Sequence, residues 1–179
     1  MTLVWLFLLT TQSDMRSLPV PARFVSEVVR LEIHAAQMLV HGHYDFESSS
    51  NESMIPILYP FVADTSMGEP EVLRMTPSPT VRDSAGIHVE VPIDSMRRGR
   101  LEIEYRQGLG GRRAAYLLRS TQEWGAPLDR AILEVDWPDS LGSPRFSFPL
   151  RAASRARGRT MYHYEARSFL PDHDLIVTW

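Results

Sequence analysis

The stretch Leu101-Glu-Ile-Glu-Tyr-Arg106 alternates strictly between apolar and charged side chains. Successive side chains of a β-strand point to opposite faces of a sheet, so a period of two predicts one buried and one solvated face. Half-solvated sheets of this kind are typical of antiparallel β architectures. The same period recurs along the chain, with apolar positions at Val29, Leu31 and Ile33, at Ile87, Val89 and Val91, at Leu133, Val135 and Trp137, and at Leu175, Val177 and Trp179.

Turn-forming segments separate these runs, and no window of a dozen residues keeps a helical period. About nine or ten strands at a spacing of roughly 8–12 residues are typical of sandwiches and barrels. We therefore predict an all-β fold, an antiparallel β-sandwich of immunoglobulin-like or similar type, over residues 14–179. Gly108-Leu-Gly-Gly111 is predicted as a hairpin turn. The segment 76–86, which is rich in Pro, Ser and Gly, is the candidate boundary between two β lobes.

The composition excludes several chemistries. The chain has 179 residues, enough for one good hydrophobic core, and it contains no Cys, which removes thiol nucleophiles, thiolate metal sites and disulfides. None of its 19 basic residues is Lys, so Schiff-base catalysis and the lysine of a phosphate-binding loop are excluded too. The first half of the chain is acidic and the second half is basic, a split that can steer a charged partner or reflect a solvated surface.

The N-terminus carries the apolar run Leu3-Val-Trp-Leu-Phe-Leu-Leu9, followed by the polar segment Thr10-Thr-Gln-Ser13. The run is shorter than the roughly 20 residues that cross a bilayer, so no transmembrane span is expected. It resembles the apolar core of a secretory signal, although no basic residue precedes it. We predict a signal-like segment over residues 1–13 and a periplasmic or extracellular location; a buried first strand is the alternative.

His41, His43 and Asp45 lie at every second position of one predicted strand. Such spacing places all three on one face, where two imidazoles and a carboxylate are able to share a zinc ion. The opposite face of that strand is apolar and faces the core, so an outward polar face explains the three residues equally well. A third ligand, from His88 or from the triplet Asp172-His173-Asp174, cannot be placed by spacing alone.

Two Arg-rich segments, Arg97–Arg100 and Arg151–Arg159, are candidate contacts for a protein or an anionic surface. Neither contains the interleaved aromatic residues that stack on bases, so no nucleic-acid partner is expected. The alternative for the second segment is a mobile loop that its Arg side chains keep soluble. Asp172-His173-Asp174 is a candidate general base, or else a turn in which the acids cap the backbone.

Three stretches carry a resemblance to a known class: Val40-His-Gly-His-Tyr-Asp-Phe46, Ile57-Leu-Tyr-Pro-Phe61 and Phe169-Leu-Pro-Asp-His-Asp-Leu175. The resemblance that contains these stretches covers about a third of the chain. They resemble bacterial exported β-sandwich proteins of unknown function, and more distantly the N-terminal sandwich domain of inter-alpha-trypsin-inhibitor-type proteins. The resemblance implies a secreted or periplasmic sandwich and supplies no catalytic residue.

These observations favour an exported, non-catalytic β-sandwich that serves as a binding or structural module and needs no cofactor. A metal-dependent hydrolase centred on His41, His43 and a further ligand is one alternative. An accessory subunit of an envelope or surface assembly, using the Arg-rich second half, is another.

Overall fold

The alternating stretches form β-strands in a computed structural model that describes residues 22–49, 51, 53–62 and 66–179. The predicted signal-like segment 1–13 lies outside these residues. Within the described residues there are two short 3-10 helices, Arg119–Trp124 and Asp139–Leu141, and thirteen strands. The strands are β1 Ala22–Ile33, β2 Gln37–Ser48, β3 Met54–Tyr59, β4 Glu71–Thr76, β5 Val81–Arg82, β6 Ile87–Pro92, β7 Arg98–Gly108, β8 Arg113–Tyr116, β9 Leu128–Pro138, β10 Arg145–Phe146, β11 Arg151–Ala156, β12 Arg159–Phe169 and β13 Leu175–Thr178.

The strands pair into one sheet of seven and two sheets of three. The large sheet has the order β11-β12-β9-β1-β2-β7-β4, and the small sheets have the orders β10-β13-β8 and β3-β6-β5. The predicted all-β, sandwich-like fold is confirmed. One neighbouring pair, β1 with β9, is parallel, from Ser26 opposite Arg130 to Glu32 opposite Asp136. The long chain segment between these two strands makes the crossover that a parallel pair requires.

The predicted hairpin turn at Gly108-Leu-Gly-Gly111 is wrong. The strand before it, β7, belongs to the large sheet, and the strand after it, β8, pairs with β13 in a small sheet. The Leu109 N–H donates to the Ala36 carbonyl at 2.9 Å and the Gly110 N–H to the Ser66 carbonyl at 2.7 Å. The segment Gly108–Gly111 therefore leads from the large sheet to a small sheet, and it forms hydrogen bonds with Ala36 and Ser66 on the way.

A single core lies between the large sheet and the small sheets. Buried apolar residues from both sides of segment 76–86 belong to this core, and the segment itself leads from β4 through β5 to β6. The predicted lobe boundary at 76–86 stays a prediction. No helix in the described part of the chain is long and apolar enough to span a membrane.

The opposite face of the large sheet is called the open face below; it carries the side chains of Val28, Arg30, His41, Glu104 and Glu134, among others. His41, Glu104 and Glu134 keep 34%, 33% and 31% of their side-chain surface exposed. The alternation of the sequence thus separates the apolar core from a polar, half-exposed face, as a period of two requires.

The Arg-rich segment Arg151–Arg159 is not a loop. It forms the edge strand β11, a turn at Arg157-Gly158 and the first residue of β12. Gly158 has a positive φ of 73°, which suits the tight turn between the two antiparallel strands. The short strand β10 before this segment pairs with β13 through Arg145 and Phe146.

Candidate functional site

His41, His43 and Asp45 all lie on the open face of β2. The residues between and beside them point into the core, where Val40, Tyr44 and Phe46 are buried. The antiparallel pairing with β7 places each of the three polar residues opposite a charged partner. Their placement on one face agrees with the spacing that made them a candidate metal set.

Each of the three is paired separately with β7. His41 Nδ1 lies 3.8 Å from Glu104 Oε2, and His43 Nδ1 lies 3.4 Å from Glu102 Oε1. Asp45 accepts hydrogen bonds from Arg100 Nε and from Ser26 Oγ, both at 2.8 Å; that carboxylate is therefore occupied by a guanidinium and a hydroxyl.

The candidate third ligands lie elsewhere. His88 Nε2 is 2.9 Å from Asp83 Oδ2 in the sheet of β3, β5 and β6. Within residues 22–49, 51, 53–62 and 66–179, no group of three or more His, Asp or Glu side chains is placed to hold a metal ion. The structure supplies two histidines on one strand and does not bring a further ligand to them.

The triplet Asp172-His173-Asp174 performs local structural roles. His173 Nδ1 lies 2.5 Å from Asp172 Oδ1, a contact that raises the pKa of His173 and lowers that of Asp172. The His173 ring stacks on Phe148 with 4.3 Å between centroids. Asp174 Oδ1 accepts the backbone N–H groups of Leu118 and Arg119, each at 3.0 Å, at the start of the first 3-10 helix. The Asp174 carboxylate thus binds the start of a helix that is distant in sequence, whereas the alternative interpretation of the triplet expected the Asp after Pro171 to cap its own turn.

Charges on the open face form a row that crosses all seven strands. From β11 to β4, the residues that pair in register are Arg151, His163, Glu134, Arg30, His41, Glu104 and Arg74. Each of the two glutamates in this row has a histidine on one side and an arginine on the other; we call the row the charge row. His163 Nδ1 lies 3.4 Å from Glu134 Oε1. Cross-strand pairs of opposite charge stabilise a sheet modestly and fix which strands lie side by side.

The Arg-rich segments are largely engaged within the chain. Arg100 binds Asp45, Arg155 Nε donates to Asp139 Oδ2 at 2.9 Å, and Arg159 Nε donates to Asp136 Oδ1 at 2.7 Å. A contact between these segments and a protein or an anionic surface stays a prediction.

A second polar cluster lies on the buried face, and none of the candidate residues named from the sequence belongs to it. Glu27 is only 2% exposed. A register irregularity in β1 between Phe24 and Ser26 inserts one extra residue, so Glu27 shares the core-facing parity of Val29 instead of the parity of Phe24. Bulges of this kind re-aim side chains and are frequent beside functional sites. Glu27 is thereby placed directly opposite Tyr44 of β2.

Three buried tyrosine hydroxyls lie together on this face. The Tyr44 hydroxyl oxygen is 2.9 Å from that of Tyr59 and 2.6 Å from that of Tyr116, and the last two are 3.4 Å apart. Burial raises the pKa of all three phenols above the ordinary 10, so the hydroxyls are neutral. The three rings come from β2, β3 and β8, one from each sheet. The tyrosine triad therefore joins all three sheets through one hydrogen-bonded cluster.

Gly42 makes room for this triad. A Cβ at position 42 would lie 2.0 Å from the Tyr44 hydroxyl oxygen and 2.5 Å from the adjacent ring carbon. Any other residue would therefore push the Tyr44 ring out of its place. The Gly-x-Tyr spacing within the resembling stretch Val40–Phe46 has a direct packing cause in this structure.

The Glu27 carboxyl borders a cavity of about 50 Å³ beside the triad. Oε1 of Glu27 is buried and has no hydrogen-bond partner among the described residues. Burial raises the pKa of Glu27 from its ordinary 4.5 to about 8, so the carboxyl is mainly protonated at neutral pH. The cavity is lined by Glu27, Tyr44, Tyr59, Tyr116, Phe24, Phe46, Ile57, Leu58, Pro60, Leu101, Leu117, Ser120, Thr121 and Trp124.

One signal in the sequence points to this cluster. Glu27 precedes Val29, Leu31 and Ile33 at the same parity, so an acid occupies a position where the pattern demands an apolar side chain. An ionisable group on the core face of a strand is rare, since burial of a charge is costly. The candidate residues His41, His43 and Asp45 lie on the polar parity of their strand, whereas Glu27 lies on the apolar parity of β1.

Comparison with known proteins shows similarity of fold. No protein-family model matches the chain, and no curated protein sequence matches it. The chain is similar to an M1 zinc metallopeptidase from Deinococcus radiodurans, with a TM-score of 0.56, 14% identity, and coverage of 88% of this chain and 42% of that chain. A two-domain M1 zinc metallopeptidase bound to L-arginine matches with a TM-score of 0.59, 15% identity and the same coverage.

Aminopeptidase A from Legionella pneumophila, in complex with aspartic acid, matches with a TM-score of 0.51, 9% identity, and coverage of 89% of this chain and 21% of that chain. The chain therefore spans less than half the length of these zinc peptidases. At such identities the similarity establishes the fold alone. The resemblance to exported sandwich proteins of unknown function stays a prediction.

Proposed function

We propose that this chain is a non-catalytic β module that packs the open face of its large sheet against a hydrolytic domain. The similarity to less than half of several zinc peptidases supports a role beside a catalytic domain. In the described residues, the two histidines with metal-ligand spacing each face a separate acid on β7, which favours a structural role for them.

The observation that carries this proposal is the charge row on the open face. The row combines three arginines, two histidines and two glutamates, while half-buried apolar side chains such as Val28, Leu39 and Ile132 lie on the same face. A surface that mixes apolar and paired polar groups is typical of protein–protein and interdomain contacts. In this proposal the chain provides an interface, and the hydrolytic domain provides the catalytic residues.

Site-specific photocrosslinking tests the proposal, and it suits a chain without Lys because amine-reactive reagents have few targets here. The photoreactive residue p-benzoylphenylalanine replaces Ile132, at the centre of the open face, in the protein expressed in its native host. The matched control carries the same residue at Val81, which is 57% exposed on a small sheet. Mass spectrometry then identifies the crosslinked peptides.

We expect crosslinks from position 132 to a metallopeptidase catalytic domain, in the same chain or in another one, and few from position 81. Equal crosslinking from both positions, or crosslinks from position 132 only to proteins without a hydrolytic domain, contradicts the proposal. Purified protein that hydrolyses aminoacyl 4-nitroanilides with added zinc, and loses that activity in the His41→Ser variant, contradicts it as well and supports the metal-dependent hydrolase.

A further inference from the structure

The cavity beside Glu27 has the properties of a small binding site, and it is independent of the open face. It lies on the buried side of β1 and β2, opposite the charge row. Leu117, Ser120 and Trp124 line it and are half-exposed, and Leu58 is 44% exposed, so the cavity borders solvent between β3 and the first 3-10 helix. This edge is the side from which a ligand would approach Glu27.

The lining of the cavity is suited to a cation. Among the described residues that line this cavity there is no Arg and no His. The polar groups are one carboxyl, three phenol hydroxyls and the hydroxyls of Ser120 and Thr121, so acceptor oxygens are concentrated there without a positive side chain. Glu27 Oε1 has no partner among the described residues, and a buried acceptor without a partner costs free energy. An anion would find no counter-charge in this cavity.

The cation class follows from the number and type of ligands. Hard metal ions require several oxygen ligands at short distances, whereas this cavity has a single carboxylate. An ammonium group instead donates N–H bonds to a carboxylate and to hydroxyl oxygens, and the faces of aromatic rings attract it. Phe24 and Trp124 supply such rings in the wall. A volume of about 50 Å³ holds a small head group and excludes a large ligand.

We propose that Glu27, together with the tyrosine triad, binds the ammonium head of a small primary amine in this cavity. Binding converts the Glu27 carboxylic acid to the carboxylate and releases its proton to solvent. The titratable side chains that face it, Tyr44, Tyr59 and Tyr116, stay neutral because their pKa values are raised by burial. Glu27 is thus the group whose ionisation accompanies binding.

Isothermal titration calorimetry with methylammonium chloride tests the site, with potassium chloride at equal ionic strength as the control ion. We expect methylammonium to bind and potassium not to. Since the carboxyl must ionise, the apparent affinity should rise about tenfold from pH 6 to pH 7. Titrations in two buffers of different ionisation enthalpy should show release of close to one proton per ligand at pH 7.

The Glu27→Gln variant keeps the shape of the side chain and should lose binding, whereas Glu90→Gln, at an exposed position on β6, should keep it. Because the variant at position 27 is able to affect folding, Trp124 fluorescence in the unaltered protein gives a second measurement. Methylammonium should change that fluorescence, and the Trp124→Phe variant should lose the change. Equal effects of methylammonium and potassium, or binding that survives in folded Glu27→Gln protein, overturn the proposal.

Discussion

The acidic residues on the two faces of the large sheet have different kinds of partner. On the open face, Glu102, Glu104 and Asp45 each lie opposite a basic group on the neighbouring strand. On the buried face, Glu27 lies opposite a tyrosine, and the described residues that line its cavity include no basic group. Exposed charges are stabilised by water and by one another, whereas a buried acid without a basic partner remains neutral.

This difference shows where a single substitution has a large effect. Exposed ion pairs contribute little individually, with a median of about 0–1 kcal/mol, because water screens both groups. The buried cluster has no such screening, and its members depend on each other for space and for hydrogen bonds. Substitutions on the buried face should therefore have larger effects on stability than substitutions on the open face.

The pH dependence of stability should reveal Glu27. Its pKa is about 8 in the folded chain and near 4.5 when unfolded, so between these values the folded state binds the additional proton. The contribution of Glu27 to the free energy of unfolding has its full value below pH 4.5. This contribution should fall by about 1.4 kcal/mol per pH unit up to pH 8, which is roughly 5 kcal/mol in total. Urea unfolding at a series of pH values measures the fall.

The Glu27→Gln variant isolates the contribution of this group, because other side chains titrate equally in both proteins. The variant should be no more stable than the unaltered protein at pH 5 and clearly more stable at pH 9, so the two curves should cross. Parallel plots of stability against pH for the two proteins would mean that the Glu27 carboxyl is ionised at neutral pH and is therefore not buried without a partner.

Replacing Gly42 by Ala should destabilise the fold by about 3 kcal/mol, because the added methyl overlaps the Tyr44 ring and forces repacking of the triad. The control is Gly111→Ala, where no atom lies within 4 Å of the added Cβ. That variant should stay within about 0.5 kcal/mol of the original in urea unfolding. Similar losses for both variants would show that helix and strand propensities, not the overlap with Tyr44, determine the effect.

The sequence predicted the strands well because burial alternates with side-chain position, and that alternation is written directly into β2, β7 and β9. It did not predict the parallel pairing of β1 with β9 or the sheet change at Gly108–Gly111, since both depend on contacts between distant parts of the chain. His41, His43 and Asp45 were placed correctly on one face, yet their partners on β7 follow from register. Glu27 shares the parity of Val29, Leu31 and Ile33, so the period of two places it on the core face, but an unpaired acid is not expected there, and its contacts with Tyr44 follow from register.

Removing one hydroxyl from the triad should destabilise the fold less than the Gly42→Ala substitution does. In the Tyr44→Phe variant, the hydroxyls of Tyr59 and Tyr116 lose their shared partner and are left 3.4 Å apart. The free energy of unfolding should fall by about 1–2 kcal/mol, because buried hydroxyls lose a hydrogen-bond partner. Tyr162→Phe is the matched control, because Tyr162 is half-exposed and water is able to satisfy its hydroxyl. Equal stability of Tyr44→Phe and the unaltered protein would show that the triad hydroxyls are satisfied in another way.

The smallest effect is expected from the two histidines of the open face. Replacing His41 and His43 by Ser removes two half-exposed or exposed groups that face Glu104 and Glu102 at 3.8 and 3.4 Å, so stability should change by less than about 0.5 kcal/mol. Added zinc should leave the melting temperature unchanged. Had these imidazoles held zinc with a further ligand, a concentration a hundred times the Kd would stabilise the fold by about 2.7 kcal/mol. The melting temperature could instead rise with zinc in the unaltered protein and stay constant in the single His41→Ser variant. That result would favour the metal-dependent hydrolase, and it would show that the histidines bind zinc in preference to their cross-strand partners Glu104 and Glu102.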